Sequence, residues 1–192
     1  MKKTLIWIGI IAIIALWGIS AYNGLVNKDE AVTAAWGQVE NNYQRRADLI
    51  PNLVATVKGY AQHESSTLEA VVNARAAATQ VKGGDLSSEE IAAYQKAQSE
   101  VSSSLSRLLL VVENYPELKA NENFLDLQAQ LEGTENRIAT ERGRFNDAVN
   151  AYNKMLRRFP NNIIAGICGF EKKGYFTAPE GSEEPVEVKF DF

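Results

Sequence analysis

The chain has 192 residues and a formal net charge of −4, with acidic and basic residues mixed along its length. That length supports one domain with a real core, and the absence of a basic block or an acidic tail sets aside nucleic-acid binding and a disordered charged arm. Cys168 is the only cysteine, which excludes an intramolecular disulfide.

Residues 4–27 carry no charge, and residues 5–17 are almost wholly apolar. At a rise of ~1.5 Å per residue, a helix of this length crosses a hydrocarbon core of ~30 Å. A cleaved secretory signal is the competing reading. Its best cleavage site, Ile19-Ser20-Ala21, has a poor −3 residue, and the apolar run is longer than a usual signal core. A retained signal anchor over residues 1–27 is therefore expected, with residues 4–27 in lipid. Lys2 and Lys3 precede the span, whereas Lys28 follows it beside Asp29 and Glu30. The bias in basic residues places the N-terminus in the cytoplasm and the body outside the cytoplasmic membrane, with a reversed anchor that translocates the short N-terminal tail as the alternative.

Beyond the anchor the composition is helical. Leu25, Val32, Trp36, Val39, Tyr43, Arg46 and Ile50 recur at alternating three- and four-residue spacing, one face of a helix over residues 22–49. Pro51 cannot make an interior helical hydrogen bond, so residues 48–52 read as a turn or sharp kink. A kinked but continuous helix is the alternative. A second helix follows over residues 52–81, striped by Leu53, Val57, Leu68 and Val71, and Gly83-Gly84-Asp85 ends it. Ser87-Ser88-Glu89-Glu90 offers an N-cap for a third helix over residues 88–114. Its stripe of Ile91, Tyr94, Val101, Leu105, Leu108 and Val112 has Gln98 as its one polar entry, and residues 108–112 are apolar all round. The fourth helix starts at a cap on Asn121 or Asn123 and runs to Pro160. Phe124, Leu131, Ile138, Phe145, Tyr152 and Phe159 recur every seven residues along it, a coiled-coil-like seam. The expected fold is all-α: an N-terminal transmembrane helix, then an elongated antiparallel four-helix bundle over residues 28–160.

Residues 161–192 differ. Apolar residues are broken by Gly166, Gly169 and Gly174, and this part is expected to pack back on the bundle or on a neighbour. Residues 186–192 alternate strictly, a strand pattern that either pairs with a second subunit or another protein or, without a partner, is disordered.

Tyr22-Asn23-Gly24-Leu25-Val26, Ala35-Trp36, residues 44–54, residues 58–64, residues 113–121, residues 131–138, Arg158-Phe159-Pro160 and the Phe-rich tail together resemble the LemA family. The resemblance covers nearly the whole chain. It implies a bacterial single-pass membrane protein with an antiparallel helical bundle, and it implies no particular reaction.

Motifs for chemistry are sparse. His63-Glu64 has Thr67 where a zinc-protease helix needs its second histidine, and the chain has no other histidine. No nucleophile elbow or glycine-rich phosphate loop is present. The expectation is therefore no catalysis and no cofactor, with a hydrolase using His63 as the remote alternative. Arg46, Glu64, Arg75, Thr134 and Glu141 fall on or beside seam positions. They either form a register-setting polar layer or sit at the seam edge with exposed heads. Residues 44–48 beside Pro51, with Arg46 and Asp48, are the candidate interaction site, at a turn distant from the membrane. Leu109, Leu110, Phe170, Tyr175, Phe176, Phe190 and Phe192 are candidate oligomer contacts. The leading expectation is a membrane-anchored, self-associating scaffold. An accessory subunit of another membrane protein, carrying a peptide groove, is the second.

Overall fold

The computed structural model describes residues 2–178. The first helix, α1 (Lys2–Tyr60), is a single run of 59 residues, ~88 Å at the helical rise. It is followed by α2 (Ser65–Gln80), α3 (Ser88–Val112), the single turn α4 (Pro116–Lys119), α5 (Glu122–Arg157) and the short α6 (Asn161–Cys168). The fold is all-α, with one N-terminal helix long and apolar enough to cross a membrane and an antiparallel bundle beyond it. The described residues contain no strand. The strand pattern over residues 186–192, with Phe190 and Phe192, lies outside the described residues.

α1 changes character along its length. From Thr4 to Ser20 its residues are exposed, apart from Trp17 and Gly18, which are half-buried. From Ala21 the buried positions are Leu25, Val32, Trp36, Val39, Tyr43, Arg46, Ile50, Leu53 and Val57, the face that the three-four spacing marks out. α5 runs antiparallel along this face, burying Phe124, Leu131, Ile138, Phe145 and Tyr152. Phe159, the next residue in that series, is 78% exposed because α5 ends at Arg157. Side-chain caps set two starts. Ser87 and Glu90 form a reciprocal capping box on α3, and Asn121 accepts from the Phe124 N–H on α5.

The helix boundary expected at residues 48–52 is not there. α1 continues through Pro51, and the turn comes at residues 61–64. The segment 44–48 is therefore mid-rod, not at the far tip. The reason lies in α2. Pro51 has no N–H, so the carbonyl of Ala47, four residues earlier, loses its helical donor. Arg75 Nε of α2 donates to that carbonyl at 2.6 Å. A charge-assisted bond from a neighbouring helix replaces the missing one, while the Pro51 ring faces solvent.

The core divides in two. A distal cluster gathers Ile50, Leu53, Val57, Leu68, Val71, Leu105, Leu108 and Phe124 from α1, α2, α3 and α5. The other, nearer the span, gathers Leu25, Trp36, Tyr43, Tyr94, Phe145 and Tyr152, with Leu86, Ala165 and Phe176. The bundle core thus begins before residue 28 and continues past residue 160. α2 is 16 residues long, far shorter than its neighbours. Towards the span the core is completed instead by the α2–α3 loop and by residues 169–178, an extended strap.

Arg75→Met is expected to lower stability by ~1.5–3 kcal/mol, the range for a hydrogen bond to a charged group. In a Pro51→Ala background, where Ala47 regains a helical donor, the same change is expected to cost under about half as much. A double-mutant cycle on thermal unfolding in mild detergent checks this, and equal costs in both backgrounds would contradict it.

Candidate functional site

Arg46 lies between the two core clusters. It is 1% exposed, and its guanidinium meets partners from two other helices. Nη1 donates to Ser102 Oγ at 2.6 Å and to Glu135 Oε1 at 2.5 Å. Nη2 donates to the Gln98 carbonyl at 3.0 Å and to Gln98 Oε1 at 2.6 Å. The Tyr43 ring lies 5.1 Å below the guanidinium carbon. α1, α3 and α5 are thus joined at one height. Glu135, the counter-ion, keeps 43% of its side chain exposed.

The other polar candidates are spread along the rod. Glu64 accepts from Tyr115 Oη at 3.1 Å and ties the α1–α2 turn to the end of α3. Thr134 is buried and bonds back to the Gln130 carbonyl within α5. Glu141 pairs with Arg144 on its own helix. Asp48 is exposed and accepts from Gln44. Of these candidates Arg46 alone ties three helices at one height, and Glu135, which completes the layer, stands beside a seam position without breaking any pattern. His63 is exposed in the α1–α2 turn. Among the described residues no group of three His, Cys, Asp or Glu is placed to hold a metal.

The strap is built differently. Three side-chain amides each make a matched pair of bonds to its backbone. Asn153 donates to the Lys173 carbonyl at 2.9 Å and accepts from the Lys173 N–H at 3.1 Å. Asn146 does the same to Phe176, both at 2.9 Å. Gln95 does the same to Thr177, both at 3.0 Å. Arg142 adds a bond to the Thr177 carbonyl and covers the Phe176 ring at 4.7 Å. The Gly174 N–H donates to the Leu86 carbonyl at 2.8 Å. Leu86 itself has φ +60, an uncommon conformation for leucine that turns its carbonyl to the strap. A Cβ on Gly174 would stand 2.7 Å from the Ser88 Cα, so only glycine passes this point.

Phe176 closes the lower core. Its ring stacks on Trp36 at 6.0 Å and meets Phe145 at 5.4 Å, while Trp36 also takes Tyr94 at 4.9 Å. Gly83 lets the α2–α3 loop lie on the indole, with a Cβ position only 2.6 Å from Trp36 Cε2. Phe176 is therefore spent on this chain's own core and is not available as an oligomer contact. Phe170 is half-buried against Tyr22, Tyr175 is 42% exposed and Leu110 is 71% exposed. Burial, and secondarily the charges of Asp29 and Glu171, push the Tyr152 phenol up to about 12. It stays protonated and donates to the Glu171 carbonyl at 2.9 Å. Asp29 Oδ1, buried without a hydrogen-bond donor, has Lys173 Nζ 3.5 Å away as its counter-ion.

Above the strap the same two helices flank an open groove. Small serines face α5 from α3, and the result is a groove of about 450 Å³ lined by Ser102, Leu105, Ser106, Leu109, Gln128, Leu131, Glu132, Glu135 and Asn136. Its floor is Leu105 and Leu131, its wall is Leu109, and Ser102 and Glu135 at one end belong to the Arg46 layer. The strap leaves Gln95 and Arg142 seven residues before Ser102 and after Glu135, ~10 Å away along both helices.

The sequence model of the LemA family matches residues 35–190. The chain belongs to the LemA family. Among curated relatives, Magnetosome protein MamQ 2 and Magnetosome protein MamQ 1 of Paramagnetospirillum magneticum are each 28% identical to it, over 86% of this chain and 68% of theirs. Magnetosome protein MamQ of Magnetospirillum gryphiswaldense is 27% identical over the same shares. The apolar helix and this family membership make the chain a membrane-associated helical LemA protein.

Two outcomes follow from these geometries. Glu135→Ala strands a buried cation, whereas Arg46→Met leaves a carboxylate that reaches water and deprives only neutral groups, the Gln98 amide oxygen and the Ser102 hydroxyl, of a donor. Glu135→Ala is expected to cost ~2–3 kcal/mol, below the ~3–5 of a fully buried pair because half of Glu135 is screened, and Arg46→Met clearly less. Denaturant unfolding of the two variants measures the order. Gly174→Ala is expected to detach the strap while leaving the helices folded. The signature is rapid proteolytic clipping after residue 169 with little change in helical ellipticity.

Proposed function

We propose that this LemA protein is a membrane-anchored interaction scaffold that takes an extended segment of its partner into the groove between α3 and α5. The observation that supports this most is the strap. One level below the groove, the same two helices already hold an extended chain, by amide pairs to its backbone and one aromatic anchor. This is how a protein recognises a peptide main chain and adds specificity through a pocket. The groove offers an apolar floor and a polar rim in line with that binding mode. Binding rather than catalysis is the proposed mode of action, and the exposed position of His63 gives a hydrolytic reading little support. The basic residues flanking the span favour a single pass through the bacterial inner membrane, N-terminus in the cytoplasm and bundle outside.

A second reading, self-association, draws on Leu110, which stands exposed on α3 next to the groove wall. The partner is then a second copy of this chain. One experiment addresses both. A photo-crosslinking residue replaces Leu109 in the full-length protein in its own membrane, and a control replaces exposed Ala76 on α2. A discrete adduct from position 109 alone, lost on adding Leu131→Glu, is the expected result. An adduct of twice the chain mass favours a second copy, and another mass favours a different membrane protein. No adduct, or the same adduct from both positions, would overturn the proposal.

A further inference from the structure

α6 lies where the bundle meets the apolar part of α1. Ile164 reaches over Gly18, its Cδ1 3.8 Å from where a Cβ would stand, and just beyond α6 the Phe170 ring meets Tyr22 at 5.7 Å. Gly18 and Tyr22 both belong to the uncharged run of residues 4–27. One side of α6, with buried Ala165, is therefore spent on the bundle. The other side is apolar and open. Ile163 and Ile167 are 48% and 77% exposed, and Phe159, in the turn that leads into α6, is 78% exposed. Ile163 and Ile167, four residues apart, share one side of α6. Leu16 and Ile19 of α1 are 68% and 58% exposed at the same height, so this stripe continues the apolar surface of the span. Arg157 and Arg158, both exposed, precede it.

We infer that α6 is a second membrane contact. It lies in the interface of the bilayer that α1 crosses, with Ile163 and Ile167 in the acyl boundary and Arg157 and Arg158 among the headgroup phosphates. Eight residues give ~12 Å, too short to span and suited to lying in the membrane plane. Height selects lipid as the occupant, because the stripe sits where α1 leaves the hydrocarbon. At its end Gly169, with φ +74, turns the chain away and sends the strap up the bundle. The inference rests on α1 spanning the bilayer. Two points of attachment then fix the rod against rotation about α1.

The test uses the full-length protein in vesicles of phosphatidylcholine and phosphatidylglycerol. With Cys168→Ser removing the native thiol, spin labels are placed through Ile167→Cys, His63→Cys and Ile11→Cys in separate variants. Relaxation by oxygen, which partitions into lipid, is compared with relaxation by a water-soluble nickel complex. The label at 167 is expected to favour oxygen several-fold more than the label at 63. An equal ratio at 167 and 63 would overturn the inference. Low access to both agents at 167, with spin–spin broadening, means that a second copy covers the stripe and also overturns it. The label at 11 must favour oxygen if α1 spans the bilayer, so failure of the span and failure of the α6 contact give different results.

Discussion

The membrane span and the first seam of the bundle are one helix, and the rest of the structure is mounted on it. Two demands meet in α1. Its first part must present apolar side chains on every side, and its second part must present them on one. The change occurs near Ala21 with no break in the backbone. The helix then has to survive Pro51, and it does so because the orphaned Ala47 carbonyl finds Arg75. α5 and the strap pack against a continuous rod, and the whole bundle inherits its position.

Burial is organised along this rod as two apolar clusters with a charged layer between. The aromatic cluster around Trp36 carries the half near the span, and aliphatic packing carries the distal half. Arg46 separates them and draws Gln98, Ser102 and Glu135 into one plane. A slip of one helix by a single turn would bury the cation against aliphatic side chains. The layer therefore disfavours wrong registers that apolar packing alone would tolerate.

Much of this is legible in the sequence wherever burial follows a helical period. The seam positions of α1 from Leu25 to Ile50, the seven-residue series of α5 from Phe124 to Tyr152, and the Ser87 and Asn121 caps all appear as pattern. Pro51 is harder. A proline reports a missing donor, but whether the helix breaks depends on a residue 24 positions later in another helix. The strap is harder still, because Asn146, Asn153 and Gln95 bind main chain, and backbone acceptors leave no mark in a sequence. One trace exists. Asn146 and Asn153 sit seven apart within a long helix, each just after a buried aromatic, where asparagine is a poor helix former. Glu135 is invisible for the opposite reason, since a glutamate at a helix surface is what solvent would also select.

A continuous helix also behaves as a lever. From Ala21 to the turn after Tyr60 it extends ~58 Å beyond its apolar part. Spanning helices commonly tilt by ~20°, and a tilt of that size would carry the tip of the rod sideways by roughly 20 Å. Bilayer thickness, which sets tilt, would then govern the radius of membrane surface that each molecule sweeps.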